Sequence, residues 1–243
     1  MNERFGQLFW GLAALAVAMV AAAFLVAGAL GRVRQGADVI EVTGSARRPA
    51  QADLIVWRVS LSTQQTDLRS AYAEIRRQSS RLIAYLRSRQ VPDSVIGAGA
   101  IDVSPIEEMK EGERTGRVVA YCGEQRFVLR SRDVRRVAQL SVDVTELINE
   151  GIALTSSTPE YVLTGLDTLR IQMLAGATED ARRRADAIAR GAGSAVGTLR
   201  AVRTGVIQVV PRYSTEVSDV GMNDTSSFEK DVMAVVRVTF AIR

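Results

Sequence analysis

The residue types that most often carry out enzyme chemistry are scarce in this chain. Histidine, the commonest general base and metal ligand, is absent from all 243 residues, which argues against catalytic triads and zinc sites. The single cysteine, Cys122, lies in a predicted strand, where it shares a face with Glu124 and Arg126. Because no histidine can activate it, we interpret it as a packed thiol. We therefore predict no catalytic residues, no cofactor and no metal site.

Two further patterns resemble functional motifs but fit structural roles better. Four glutamates cluster in one stretch: Glu107, Glu108, Glu111 and Glu113. The stretch is polar and contains glycine, which is typical of a solvated turn rather than a paired acid and base. The run at residues 191–197 resembles a dinucleotide-binding loop, but its third glycine is displaced by one position and it ends a helix instead of beginning one. The helix dipole would then point away from a phosphate, so we predict a helix C-cap.

One polar segment, residues 211–231, is longer than the connections usually found between paired strands. Such a segment is either flexible or functional. Its acidic and amide side chains offer oxygen ligands to calcium, but their spacing is not that of a helix-loop-helix site. We favour an ordered contact loop over a calcium site. The candidate contact residues are Ser218, Asp219, Asn223, Asp224, Thr225 and Ser226.

The elements that would position these residues follow from hydrophobic periodicity. Residues 52–62 alternate between apolar and polar side chains, which predicts a half-buried strand. An amphipathic helix follows, with Asp67 as its N-cap. Residues 96–106 and 118–130 then predict a hairpin, with an acidic turn at residues 107–113.

The second half of the chain repeats this order after a connecting helix at residues 133–150. Its predicted strands are residues 152–156, 199–209 and 232–242. Thr164 and Asp167 form a capping box, Thr-x-x-Asp, for a long helix that ends near Gly191. We predict an α+β fold, in which an antiparallel sheet carries helices packed on one face. A pseudo-duplicated strand-helix-strand-strand plan is an added hypothesis.

The long helix carries a stripe of four alanines spaced four residues apart: Ala177, Ala181, Ala185 and Ala189. Their small side chains allow another element to approach closely, and the stripe drifts by about 40° per step around the helix. We interpret it as an intramolecular packing stripe, with a subunit contact as the alternative.

The charges of the chain argue against nucleic acid as a partner. Its 31 basic and 27 acidic residues nearly balance, and the basic residues are spread along the whole length. The densest basic group, residues 182–184, lies on the long helix beside Asp180 and Asp186. We interpret that group as a solvated helix face with salt bridges.

The N-terminal segment predicts attachment to a membrane. Residues 8–30 contain no charged side chain, and as a helix they would extend roughly 34 Å, enough to cross a hydrocarbon core of about 30 Å. This apolar stretch is longer than that of a secretory signal. We predict a transmembrane anchor within residues 1–35 and a folded domain at residues 36–243, while cleavage after Ala29 stays open.

The orientation of the anchor is not determined by charge. Arg4 lies on one flank, and Arg32 with Arg34 lies on the other, which alone would leave the folded domain in the cytoplasm. Long domains, however, translocate largely regardless of nearby charge. Cys122 does not identify the compartment either, because a lone cysteine cannot form an intrachain disulfide.

Several short segments after residue 38 occur in a recognisable order. They are residues 42–46 (VTGSA), residues 103–105 with Tyr121, residues 159–161 (PEY), a series along the long helix from Leu169 through Met173, Ala177, Asp180, Arg184 and Ile188 to Gly193 and Gly197, and residues 205–208 (GVIQ). Together they resemble the SIMPL-domain family of bacterial envelope proteins. The polar loop resembles that of a membrane-anchored subgroup. Ala120 departs from the pattern, because the family more often has glycine before the tyrosine.

The resemblance implies export to the periplasmic side, self-assembly through the domain, and an association with envelope or oxidative stress. It implies no catalytic residues, since the family has no established reaction. We therefore expect a non-enzymatic, single-pass protein of the bacterial inner membrane whose domain lies in the periplasm and acts as a homo-oligomeric envelope scaffold. The alternative is a periplasmic binding module for a small ligand, an ion or an envelope polymer.

Overall fold

The computed structural model describes residues 38–216, 218 and 220–243, together with Met19 and Ala22. Apart from those last two positions, the predicted anchor at residues 8–30 lies outside the described residues. Among the residues that are described, no helix is long and apolar enough to span a membrane. This part of the chain has an α+β fold with antiparallel sheets and three α-helices, which confirms the predicted fold class.

The elements of the described chain follow one another in this order: β1 (Val39–Gln51), β2 (Leu54–Gln65), α1 (Leu68–Ser88), β3 (Ile96–Ala98), β4 (Asp102–Lys110), β5 (Glu113–Ser131), α2 (Val134–Asp143), β6 (Leu154–Ser156), β7 (Glu160–Val162), α3 (Leu166–Gly191), β8 (Val196–Thr204), β9 (Gln208–Pro211) and β10 (Glu229–Ile242). Short 3-10 helices occupy Asp93–Val95 and Val144–Glu150. These elements form two compact units. Unit one contains residues 38–46, Gln172–Val206 and Ala234–Arg243, and unit two contains Arg47–Ile171 and Ile207–Met233.

Unit two is built on a sheet whose central strands are β2 and β5. They pair in an antiparallel register that sets Trp57 opposite Leu129 and Val59 opposite Phe127. Strands β3 and β4 pair with the other edge of β5, and β6 and β7 pair with the other edge of β2. Because side chains alternate along a strand, these four residues share one face. Helices α1 and α2 pack on that face and complete the core, as predicted.

Unit one is built around the second part of β10, which lies between β1 and β8. Val236, Val238 and Phe240 of β10 are buried, in agreement with the predicted alternation. Helix α3 belongs to this unit from Gln172 onward, and its four alanines are buried there. The end of α3 confirms the predicted C-cap, since the N–H of Ser194 donates to the carbonyl of Ala189 at 2.8 Å.

The strand order is the same in both units. In unit two the order is β2-β5-β4, and in unit one it is β1-β10-β8, so the first strand of each set pairs with the last. Each set also has a helix between its first and second strands in the chain, α1 or α3. The prediction that residues 152–156 begin the second set is wrong. Residues Leu154–Ser156 pair instead with β2, and β1 supplies the first strand of unit one.

Two local predictions are also corrected. The acidic stretch at residues 107–113 is mostly strand, because β4 and β5 continue to a two-residue turn at Glu111 and Gly112. Both turn residues have positive φ, 55° and 89°, the handedness that matches the twist of a hairpin. Thr164 does not cap α3, which begins at Leu166. Its backbone N–H and its hydroxyl donate to Asp53 at 2.7 and 2.6 Å instead.

Candidate functional site

The polar loop of unit two, residues 212–228 between β9 and β10, is attached to its sheet by a buried ion pair. Lys230, near the start of β10, is fully buried. Its Nζ donates to the Asp224 carboxylate at 2.8 Å and to the Asp224 backbone carbonyl at 2.6 Å. The Asp224 side chain is only 5% exposed. A buried ammonium is tolerated when it is paired in this way, so the pair fixes the second half of the loop.

The Asp224 carboxylate also organises the residues that follow it. The hydroxyl and backbone N–H of Ser226 donate to Oδ1 at 2.6 and 2.9 Å, and Ser227 donates to Oδ2 through both its hydroxyl and its N–H. Burial opposes ionisation, but hydrogen bonds from Lys230, Ser226 and Ser227 outweigh it and hold the pKa of Asp224 well below its ordinary value of 3.8. Asp224 is therefore a structural anion and a poor general acid or base at neutral pH.

The first half of the loop has its own attachments. Asp231 is 5% exposed, accepts a hydrogen bond from the N–H of Tyr213 at 3.2 Å, and lies 3.5 Å from Nε of Arg47. The buried amide of Gln208 donates to the Ser218 carbonyl at 2.8 Å and accepts from the Ser218 N–H at 3.2 Å. Polar side chains of the sheet thus satisfy backbone groups of the loop.

Backbone hydrogen bonds complete the attachment of the loop within unit two. The N–H of Tyr161 donates to the Thr225 carbonyl at 2.7 Å, and that of Ala52 donates to the Phe228 carbonyl at 3.0 Å. The N–H of Asp224 donates to the Val209 carbonyl at 2.8 Å. Bonds to β7, to β9 and to the turn between β1 and β2 therefore give the polar loop a defined conformation.

The predicted contact residues divide into exposed and inward-facing ones. Asn223, Thr225 and Ser226 are exposed, whereas Ser218 is half-buried. Asp224 directs its carboxylate inward to Lys230, whose ammonium occupies the place that a calcium ion would need at Oδ2. No cluster of three potential metal ligands occurs within the described ranges. Asp219 lies outside the described residues.

The structure places the alanine stripe inside unit one. All four of its alanines are buried. Gly44 of β1 lies so close to this stripe that an added Cβ would be 2.1 Å from the Ala177 carbonyl oxygen and 2.6 Å from the Ala181 Cβ. The N–H of Ser45 also donates to Asp180 at 3.0 Å. The neighbour of this part of the stripe is therefore a strand of the same chain.

The environments of Cys122 and of the basic group on α3 indicate structural roles. Cys122 is half-buried in β5, where burial and the neighbouring Glu124 carboxylate raise the pKa of its thiol. A raised pKa disfavours the nucleophilic thiolate, which agrees with a thiol that has no catalytic task. On α3, Asp180 pairs with Arg184 at 2.8 Å and with Arg183 at 3.6 Å on an exposed surface, as predicted for that basic group.

Two features of unit two were missed by sequence reasoning. The first is the burial of Lys230. Its position offered a signal, because residues two apart in a strand share a face and Val232 and Ala234 of β10 are buried. The second is a pair of clefts beside α2, of about 320 and 380 Å³. The smaller is lined by Val134, Arg135, Ala138, Gln139, Tyr161 and Phe228. The residues that line this smaller cleft come from three segments far apart in the chain, so no local sequence pattern indicates the cleft.

Comparison with known proteins identifies the fold's family. The family model described as SIMPL, protein of unknown function (DUF541), matches residues 40–240, which confirms the resemblance in the sequence. No curated protein matches the chain. The matched range contains both units, the polar loop and the clefts.

Proposed function

This chain belongs to the SIMPL family, whose molecular function is unknown, and we propose that it is a non-enzymatic contact module of the bacterial envelope. In this proposal the protein is anchored in the inner membrane, with its folded domain in the periplasm, and it assembles with copies of itself as a scaffold. The observation that carries the proposal is the polar loop held by the buried pair of Lys230 and Asp224.

A loop held in one conformation is suited to recognition, because it loses little further conformational entropy when a partner binds. Asn223 and Thr225 are exposed, and their side chains donate and accept no hydrogen bonds within the described part of the chain. Their backbone neighbours are fixed by the ion pair and by the bond from Tyr161. The loop therefore presents free polar side chains from a fixed backbone, which favours an intermolecular contact surface.

The edge strand β8 of unit one supports self-assembly. Its residues 198–204 are all exposed, and they include Leu199 and Val202, which are 51% and 42% exposed. An edge strand offers unpaired N–H and carbonyl groups to a strand of a second copy. Anchoring would confine the copies to one surface and raise their effective concentration.

The absence of histidine, the inward-facing Asp224 and the raised pKa of Cys122 support a role without catalysis. Membrane attachment rests on the uncharged residues 8–30, and the periplasmic side and the stress association rest on the family resemblance. Fusing alkaline phosphatase after Arg243 tests the side, because that reporter is active only when exported. An active reporter is expected, and an inactive reporter on a stably inserted protein would contradict the periplasmic location.

The contact role of the loop is tested by adding bulk and charge to its exposed residues. In the double variant Asn223→Arg/Thr225→Arg the residues of the ion pair are unchanged. Light scattering of the full-length protein in detergent would give its molar mass. We expect the wild type to be a discrete multiple of the chain mass, and the double variant to dissociate.

Ala73→Arg is the matched control, because Ala73 is exposed on α1 and far from the loop in sequence. It should leave the molar mass unchanged. A monomeric wild type would contradict self-assembly. An assembled double variant would remove the loop from the interface and leave the β8 edge as the surface to test.

A further inference from the structure

The smaller cleft beside α2 has an aromatic side and a basic side. Tyr161 of β7 and Phe228 at the end of the polar loop form the aromatic side, with ring centroids 6.3 Å apart and planes at 66°. Both rings are half-buried and pack against the core of unit two. Buried Val134 and half-buried Ala138 add apolar surface from α2. This arrangement suits a flat or slender apolar group.

The basic side is provided by Arg135. Its guanidinium carbon lies 5.7 Å from the centroid of the Phe228 ring. The side chain is exposed, and no carboxylate of the described residues lies within ion-pairing distance of it. A guanidinium stacked on a ring keeps N–H groups available at the ring edge, where they can donate two parallel hydrogen bonds to a planar anion.

The larger cleft differs in the availability of its charges. Its Arg89 already pairs with Glu146 at 3.2 Å and lies 3.9 Å from Asp143, and its Arg136 donates to the Gln90 side chain at 2.8 Å. Within the described part of the chain, Arg135 of the smaller cleft has neither an ion-pair partner nor a hydrogen-bond partner for its side chain. The excess positive charge beside an apolar wall is therefore found in the smaller cleft.

We propose that the smaller cleft binds a small amphipathic carboxylate. The apolar body of the ligand packs against Tyr161 and Phe228, and its carboxylate is held by Arg135. A volume of about 320 Å³ lies at the lower end of the usual range for ligand sites, roughly 300 to 1,000 Å³, so the ligand is compact. This binding activity goes beyond the proposed contact function and does not depend on self-assembly.

The experiment uses 4-phenylbutyrate as the probe and 4-phenylbutyramide as its uncharged counterpart. Isothermal titration calorimetry would be performed on the full-length protein in lipid nanodiscs, with empty nanodiscs as the blank. We expect saturable binding of the carboxylate, and binding of the amide weakened by about tenfold or more, because a charge-assisted hydrogen bond is lost.

Two neighbouring arginines of α2 provide matched variants. Arg135→Gln should weaken 4-phenylbutyrate binding by about tenfold or more and leave amide binding nearly unchanged. Arg136→Gln, which removes the same charge from the other cleft, should change either affinity by less than about twofold. Thermal unfolding monitored by circular dichroism would establish that both variants are folded.

Three results would overturn the proposal. They are an absence of saturable carboxylate binding by the folded wild type, equal affinity for the carboxylate and the amide, and equal losses in the two arginine variants. The last result would mean that the general positive charge of α2, rather than the cleft, attracts the anion.

Discussion

At Gly44, β1 lies in close contact with α3. A methyl group added there would lie 2.1 Å from the Ala177 carbonyl and 2.4 Å from the Ala181 N–H nitrogen, so the strand and helix would have to separate. We predict that Gly44→Ala lowers the free energy of unfolding by roughly 3 kcal/mol, as overpacking against backbone does. Urea unfolding monitored by circular dichroism would measure the change.

Gly176→Ala is the control for this prediction. Gly176 lies within α3, and its added methyl would meet the Ala46 Cβ at 3.5 Å, an ordinary contact. Alanine is favoured over glycine in a helix, so this variant should gain about 0.5–1 kcal/mol. If Gly44→Ala were as stable as the wild type, β1 and α3 would not pack as closely as the structure shows.

Lys230 should stabilise the fold mainly by neutralising the buried carboxylate of Asp224, and less by its own packing. Replacing it by methionine leaves the carboxylate of Asp224 buried without a counter-charge. We predict that Lys230→Met costs about 3–5 kcal/mol in unfolding free energy. The double variant Lys230→Met/Asp224→Asn should recover more than half of that loss, because no unpaired charge remains. Equal stabilities of the single and double variants in urea unfolding would argue against the ion pair.

At the scale of elements, the hairpin of β4 and β5 extends beyond its sheet. Strand β2 accompanies β5 only to Tyr121, so residues 106–120 form a two-stranded ribbon. Glu111 at its turn has φ of 55°, which asparagine adopts at lower cost than glutamate. We predict that Glu111→Asn slows amide hydrogen exchange in the ribbon by about threefold, equivalent to about 0.6 kcal/mol of local stability.

Glu113→Asn provides the comparison for the ribbon. Glu113 is the first residue of β5 and pairs with Lys110, so asparagine gains nothing there and is a poorer strand former. Its exchange should be unchanged or faster. If Glu111→Asn also accelerated exchange, the turn geometry assigned to Glu111 and Gly112 would be wrong.

Elements whose signals are local were predictable from the sequence. The N-cap of α1 is one example, because Asp67 accepts a hydrogen bond from the Ser70 N–H at 3.0 Å within the same turn. Thr164 is the contrary example, because its hydroxyl is taken by Asp53, 111 residues earlier in the chain. Residues 152–156 likewise have strand character in the sequence, but the choice of β2 as their partner depends on the tertiary fold.

At the scale of the whole molecule, the sequence identified the polar loop but not what holds it. The length and composition of residues 211–231 marked the loop as unusual. Its conformation depends on Lys230, Gln208 and Arg47. Lys230 and Gln208 bond to residues 6 and 10 positions away, and Arg47 donates to the Ser214 carbonyl from 167 positions away. These pairings form only in the folded chain. The cleft beside Arg135 has the same origin, since Tyr161 and Phe228 approach α2 only in the folded chain. The length and charge of a segment can therefore be read from its own residues, whereas the partners of its side chains cannot.

Both units contain carboxylates that are stabilised in their charged form, so acid should weaken both. In unit one, the Ser45 N–H and neighbouring arginines lower the pKa of Asp180. In unit two, hydrogen bonds that outweigh burial lower the pKa values of Asp53 and Asp224. A carboxyl with a lowered folded pKa adds stability above its ordinary value, here 3.8, and loses that stability as the pH falls through the folded pKa.

We therefore predict that the contribution of these three carboxylates to the free energy of unfolding is nearly constant from about pH 7 to pH 5. It should decline below about pH 4. Asp224→Asn provides the specific test. It should be less stable than the wild type at pH 7, where Lys230 loses its counter-charge. The difference should shrink as the pH falls below about 3.8, because Asp224 of the unfolded wild type then takes up a proton while folded Asp224 stays charged. Glu111→Gln, at the exposed hairpin turn, controls for the loss of one negative charge. Urea unfolding at pH 7, 5, 4 and 3 would measure the differences, and a constant gap between the wild type and Asp224→Asn would contradict the lowered pKa of Asp224.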